Sequence, residues 1–130
     1  MRNLAREICF KAIFAKQFDN QNNILSELFE EFGLIDKADI AFCETLFNLW
    51  ELNRIEIEKT IESNLKGYEL QRVYKIDLVL LELAITELDY FKETPLPVVL
   101  NEVVSLSKKF STEKSYSFIN GFLKNFKKDE

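Results

Sequence analysis

Between residues 108 and 118 the sequence reads KKFSTEKSYSF, so that Lys108, Lys109 and Lys114 alternate with Phe110, Tyr116 and Phe118. Cations along a strand draw phosphates, and aromatic rings offer faces on which bases stack. Together they are the chemistry of single-stranded RNA binding, with each stacked base contributing about 1–3 kcal/mol. The same rings also stand at helical spacing, and an apolar stripe is ordinarily a core face. By spacing alone, Phe110 and Phe118 read more readily as core than as base platforms.

Other chemistry finds little to work with. The 130 residues contain no His, which removes Ser-His and Cys-His nucleophile pairs and every His-ligated metal site. The two cysteines, Cys9 and Cys43, form no C-x-x-C pair and sit among apolar neighbours, as buried free thiols do. There is no Gly-rich loop to cradle a cofactor. The expectation is a chain without catalytic residues, cofactor or metal. No apolar run reaches 18 residues, and Glu7 interrupts the segment where a signal peptide would be apolar. With free thiols in a reducing compartment, this gives a cytoplasmic protein as the expectation.

The net charge is −5, unevenly spread. Arg2, Arg6, Lys11 and Lys16 outweigh Glu7 at one end, and six lysines outweigh three acids beyond residue 107. The stretch between is strongly acidic. If the two ends meet in space they form a basic patch on an acidic body; otherwise they are ordinary solvated charge.

Periodicity places these residues on helices. Residues 3–18 carry Leu4, Ile8, Ala12 and Ala15 as one stripe, widened by Cys9, Phe10, Ile13 and Phe14. After a polar loop at 19–23, a short helix turns Leu25, Leu28, Phe29 and Phe32 inward and ends at Gly33. A long helix starts at Asp36 or Asp39 as its cap and ends at Gly67, with a kink or change of partner expected at Asn53. Residues 73–91 form the most apolar segment, the expected core helix. Pro97 opens another helix, which reaches Phe110, and the last runs from about Ser115 to Phe126.

That last helix contains Asn120-Gly121, a dipeptide typical of hairpin turns. Phe118, Phe122 and Phe126 recur every four residues, however, and no strand flanks the pair. Helix takes precedence, and Gly121 reads as a place where another segment packs closely. Asn101 and Asn120 read as structural bridges between helices, and Glu102 as a partner for a backbone group or a cation. The fold class is all-α: one domain spanning 1–130, a bundle of about six or seven helices.

The last third reads PLPVVLNEVVSLSKKFSTEKSYSFINGFL. It resembles the NusB family of bacterial transcription antitermination factors, in which a Pro and Val are followed by Asn-Glu and a Val-rich helix. A Lys and a Phe come next, then a loop and Phe-Val-Asn-Gly-x-Leu. The matching residues are Pro97, Val99, Asn101-Glu102-Val103, Lys108, Phe110 and Phe118 to Leu123. Upstream, IDLVLLELAITEL is similar to the family's core helix and RNLAREICFKAIF to its first. The likeness covers nearly the whole chain.

The resemblance implies a non-catalytic helical adaptor with two partners: the small-subunit ribosomal protein also called NusE, and a single-stranded RNA element, boxA. Through them it implies an indirect link to the RNA polymerase elongation complex in ribosomal RNA operons. It carries RNA contacts onto Arg2, Arg6, Phe110 and Phe118; charge and placement add Lys109 and Lys114. It places Phe14 and Asp77 near the NusE contact, and Glu82, five residues on, is a physical candidate beside them. The chain departs from the family in having only Arg2 and Arg6 at its start and Glu82 where an Arg is usual, so weak RNA binding in the absence of NusE is expected. A helical protein-interaction module without RNA binding is the alternative. The NusB-like fold fused to an RNA methyltransferase is the third reading, for which the chain offers neither cofactor loop nor second domain. A bundle this apolar could also form a homodimer.

Overall fold

The computed structural model describes residues 2–18, 23–67 and 69–127, and these form helices joined by short turns, with no strand among the described residues. The helices are α1 (Arg2–Phe18), α2 (Ile24–Phe32), α3 (Lys37–Asn64), α4 (Lys75–Ile85), α5 (Leu96–Phe110) and α6 (Ser115–Phe126). A 3₁₀ turn at Leu70–Arg72 leads into α4, and a wider π-type turn at Thr86–Phe91 continues it. The expected loop at 19–23 lies outside the described residues except for Asn23, which stands in a left-handed conformation before α2.

Local chemistry accounts for the helix ends. Gly33 has φ +67° and closes α2, as its position after an apolar run implied. Asp36, rather than Asp39, caps α3: its carboxylate accepts the Asp39 amide at 3.0 Å. Asn53 does not interrupt α3, which runs for 28 residues. Its side-chain amide donates to the Leu49 carbonyl one turn back at 2.8 Å, and the helix continues past it. The burial pattern does change there, since no residue between Trp50 and Ile57 is buried.

The core joins all of the longer helices. Ile8, Cys9, Ala12 and Ile13 of α1 meet Phe42, Cys43, Leu46 and Trp50 of α3, and α4 lies among them buried from Asp77 to Ile85. Val99 and Val103 of α5 and Ile119 and Leu123 of α6 complete it. Burying each large aliphatic or aromatic side chain contributes about 1.5–3 kcal/mol, which makes α4 the natural centre of the fold. At its end the coil widens: the Lys92 amide donates to the Glu87 carbonyl, five residues back, at 3.0 Å. This turn carries Glu87, Asp89 and Phe91, which meet Arg6 of α1, Lys127 just past α6 and Phe42 of α3.

Gly121 corrects an expectation. It lies inside α6, where glycine costs about 0.8–1 kcal/mol relative to alanine. A Cβ built there would meet nothing within 4 Å. No other segment of the described residues packs against it, so close helix packing is not its reason. Asn101 is exposed and bridges no helices, and Asn120 is half-buried.

Candidate nucleic-acid interface

Side chains of α1 and of the end of α5 meet, and this brings the two basic ends of the sequence together. Lys109 Nζ donates to Glu7 Oε1 at 2.8 Å, and Lys11 reaches the other oxygen of Glu7 at 3.1 Å. Burial works against the Glu7 charge, but the two lysines outweigh it and hold the carboxyl below its usual pKa. Beneath these charges Phe10 and Phe110 pack with ring centroids 5.4 Å apart. Lys11 Nζ stands 5.2 Å from the Phe110 ring and Lys109 Nζ 5.3 Å. Phe10, Lys11, Phe14, Ile76 and Phe110 line a largely apolar hollow of about 230 Å³. Phe110 is half-buried, so it is both a core-edge ring and an accessible one.

The two arginines have different surroundings. Arg2 is exposed, with its guanidinium 4.3 Å from the Phe42 ring and 5.7 Å from that of Phe91. Arg6 is 3% exposed and grips Glu87 with two hydrogen bonds, at 2.8 and 2.6 Å. Burial lowers the Arg6 pKa, but the Glu87 contacts and the nearby charge of Glu102 more than reverse this. Glu102 also takes the Asn3 amide at 3.0 Å when that amide is turned to face it. The resemblance implied Arg6 as an RNA contact; in the structure its Nε and one Nη hold Glu87 in a buried pair that locks α1 onto the turn after α4.

Lys114 is exposed at the approach to α6, and Lys108 lies over the Tyr116 ring at 5.1 Å. Phe118 is not part of the Phe110 hollow. It lines a separate groove between α6 and the end of α3, with Asn64, Lys66, Gly121 and Asn125.

Phe14, Asp77 and Glu82 also separate. Phe14 is half-buried at the hollow beside Phe110. Asp77 is 6% exposed, and its carboxylate accepts the Ser111 hydroxyl at 2.5 Å and the Ser115 hydroxyl at 2.9 Å. It is not an exposed partner contact; it anchors the α5–α6 turn to the start of α4. Glu82 is 7% exposed and accepts the Trp50 indole N–H at 2.7 Å and the Gln17 amide at 3.2 Å. Burial pushes its carboxyl above the ordinary pKa, with the Trp50 and Gln17 hydrogen bonds pulling the other way. It lies in the wall of a pocket of about 410 Å³ that Gln17, Arg54, Glu58 and Lys75 also line.

Sequence reasoning missed Glu7, Lys11 and Phe10 as members of the site. The four-residue spacing of Glu7 and Lys11 was a readable helical pair. The reach of Lys109 to Glu7, across 102 residues, was not. Among the described residues no group of three or more His, Cys, Asp or Glu could hold a metal ion, and no helix is long and apolar enough to cross a membrane.

Comparison with known proteins gives this arrangement a context. A transcription antitermination protein NusB from Finegoldia magna is 38% identical over 126 residues, covering 94% of this chain and 87% of the relative. Another from Natranaerobius thermophilus is 34% identical over 129 residues, covering 94% and 91%. In three dimensions the chain superposes on T. maritima NusB with a TM-score of 0.89 at 28% identity, covering all of this chain and 92% of that one. It superposes equally on a chain from a crystal structure of antitermination factors NusB and NusE in complex with dsRNA, with a TM-score of 0.90 at 25% identity and coverage of 99% and 97%. The profile of the NusB family matches residues 3–128, and the chain belongs to that family.

Proposed function

We propose that this protein is a transcription antitermination factor that holds boxA RNA jointly with ribosomal protein NusE, as a non-catalytic adaptor acting in the cytoplasm. A single helical domain spanning 1–130 carries both contacts. The observation behind this reading is the convergence of α1 and α5, which sets Lys11 and Lys109 around the Phe10–Phe110 ring pair. A half-exposed ring flanked by cations is what an unstacked base and its phosphate require. Lys109 and Phe110 are the RNA contacts on this face; Arg2, beside Phe42 and Phe91, Lys114, at the approach to α6, and Phe118 are further contacts beyond it. Arg6 and Asp77 position the face from behind. The protein partner lies against Phe14 and the mouth of the Glu82 pocket, where an acidic body suits a basic ribosomal protein and speeds the encounter.

The test is a titration of fluorescent single-stranded boxA RNA, with and without NusE, followed by anisotropy. NusE is expected to tighten binding at least tenfold, and Lys109→Ala to weaken it in both cases. Equal, weak binding with and without NusE would leave only a protein-binding bundle.

A further inference from the structure

We propose that the pocket walled by Glu82 seats a free α-amino acid whose side chain ends in an amide or a carboxylate. This goes beyond the reading above and does not depend on it: the RNA is assigned to the Phe110 face, the protein partner to the mouth of this pocket, and the ligand to its interior. The pocket holds about 410 Å³, within the roughly 300–1,000 Å³ of small-molecule sites.

Unmatched charge is the reason to look here. Arg54, Glu58, Lys75 and Glu82 line this one pocket, yet none of the four stands in an ion pair with another described residue. Elsewhere on the molecule opposite charges do pair, as Lys16 with Glu51 and Lys109 with Glu7. Glu82 is the sharpest case, a buried carboxylate whose hydrogen bonds come only from the neutral Trp50 indole and Gln17 amide. Burial pushes its pKa up, those two hydrogen bonds pull it down, and the charges of Glu58 and Arg54 act in opposite senses. A buried carboxylate that lacks a cation, in the wall of a cavity, is complementary to an entering ammonium group.

The lining identifies the rest of that ligand. The Arg54 guanidinium stands 4.5 Å from the centre of the Trp50 ring, and the indole N–H of the same tryptophan holds Glu82 at 2.7 Å. One tryptophan therefore sets an acceptor for an ammonium near a fork for a carboxylate, the two groups that a free α-amino acid carries on a single carbon. Gln17 donates to Glu82 through its amide nitrogen, which leaves its carbonyl as a second acceptor. From Glu82 the pocket follows α4 back to Lys75, about 10.5 Å along the helix axis. Leu70, Val73 and Leu78 give this stretch an apolar floor for an aliphatic stem, and Gln71 and Lys75 meet a polar end. Two cations against two anions suit a zwitterion and oppose a polyphosphate or a polyamine.

The experiment uses the free full chain with L-glutamine and L-glutamate as probes at fixed ionic strength, followed by calorimetry and by Trp50 emission. At least one of the two is expected to bind saturably and to raise the unfolding midpoint with its concentration. 2-Oxoglutarate, which lacks the ammonium, is expected not to bind. Arg54→Gln and Glu82→Gln are each expected to weaken binding about tenfold, the ordinary loss for a hydrogen bond to a charged group. Absence of saturable binding by both amino acids overturns the proposal. So does equal binding of 2-oxoglutarate, which would reduce Arg54 and Lys75 to a general anion contact. Parental affinity in either variant also overturns it, and if Glu82→Gln fails to fold, Arg54→Gln decides alone. None of these outcomes touches the adaptor reading, and a failure of NusE-dependent RNA binding leaves the amino-acid seat standing.

Discussion

Arg6 and Glu82 show how far burial changes what a charge does. Arg6 faces a carboxylate in two-point contact, and the pair is almost wholly removed from water. Removing one partner strands the other, at a cost of about 3–5 kcal/mol. Arg6→Ala is therefore expected to lower stability in urea unfolding by that amount. Replacing Arg6 and Glu87 together with Met and Leu should restore most of it. Glu82 is the opposite case, a buried carboxylate held by neutral donors. Its folded pKa lies above the ordinary value, so between the two values the folded state binds more proton than the unfolded state. The stability this group adds is present at low pH and is lost as pH rises through that window. Glu82→Gln keeps an acceptor for Trp50 and should make the protein more stable than the parent at pH 7, with the difference closing below the ordinary carboxylate range. Trp50, the single tryptophan, reports the transition by its emission. Sequence could name both residues as charged members of helices. It could not reveal which charge was paired, because the partners of Arg6 and Glu82 lie 81 and 32 residues away.

At the scale of the elements, helical period and end chemistry were readable because both are local. Gly33, Asp36 and the Phe118–Phe122–Phe126 stripe each stand where their own neighbours dictate. The wider coil at Thr86–Phe91 was not readable, since it continues the apolar pattern of α4, and the short polar 3₁₀ turn at Leu70–Arg72 carries no periodic signal of its own. The site was half legible for the same reason: cations and rings showed in the pattern, but their grouping depended on helix crossings. Asp77 illustrates the point. Ser111, Thr112 and Ser115 cluster at the α5–α6 turn, with Ser115 Oγ 2.8 Å from the hydroxyls of both others, and Asp77 ties that cluster to α4. This link holds α5 and α6 at their angle, and with it the spacing between the Phe110 hollow and the Phe118 groove. Asp77→Ala leaves buried hydroxyls short of an acceptor, which costs about 1–3 kcal/mol. Hydrogen exchange should quicken first around residues 111–115. RNA binding should fall even though Asp77 touches no RNA.

For the whole molecule, the balance lies between a small basic face and an acidic remainder, with a net charge of −5. Phosphate contacts made by such a face release counterions, and for single strands each contributes about 0.7 to the slope of log affinity against log salt. Arg2, Lys109 and Lys114 would give a slope near −2 by that rule, or about a twentyfold loss between 50 and 200 mM salt. Lys109→Ala should flatten the slope by about 0.7. Glu7 complicates this. It already binds Lys109 and Lys11, so an arriving phosphate competes with a carboxylate for the same two cations. Glu7→Gln removes the competitor and one repelling charge. Lys109 is largely exposed, and partly exposed ion pairs contribute about 1 kcal/mol at most, so the fold should lose little. The variant is expected to bind boxA RNA more tightly than the parent at low salt, with a steeper salt dependence. The two curves should converge as screening shortens the reach of the charges. Weaker binding by Glu7→Gln at every salt concentration would mean that Glu7 chiefly holds the lysines in place for RNA, and that order rather than net charge governs this face.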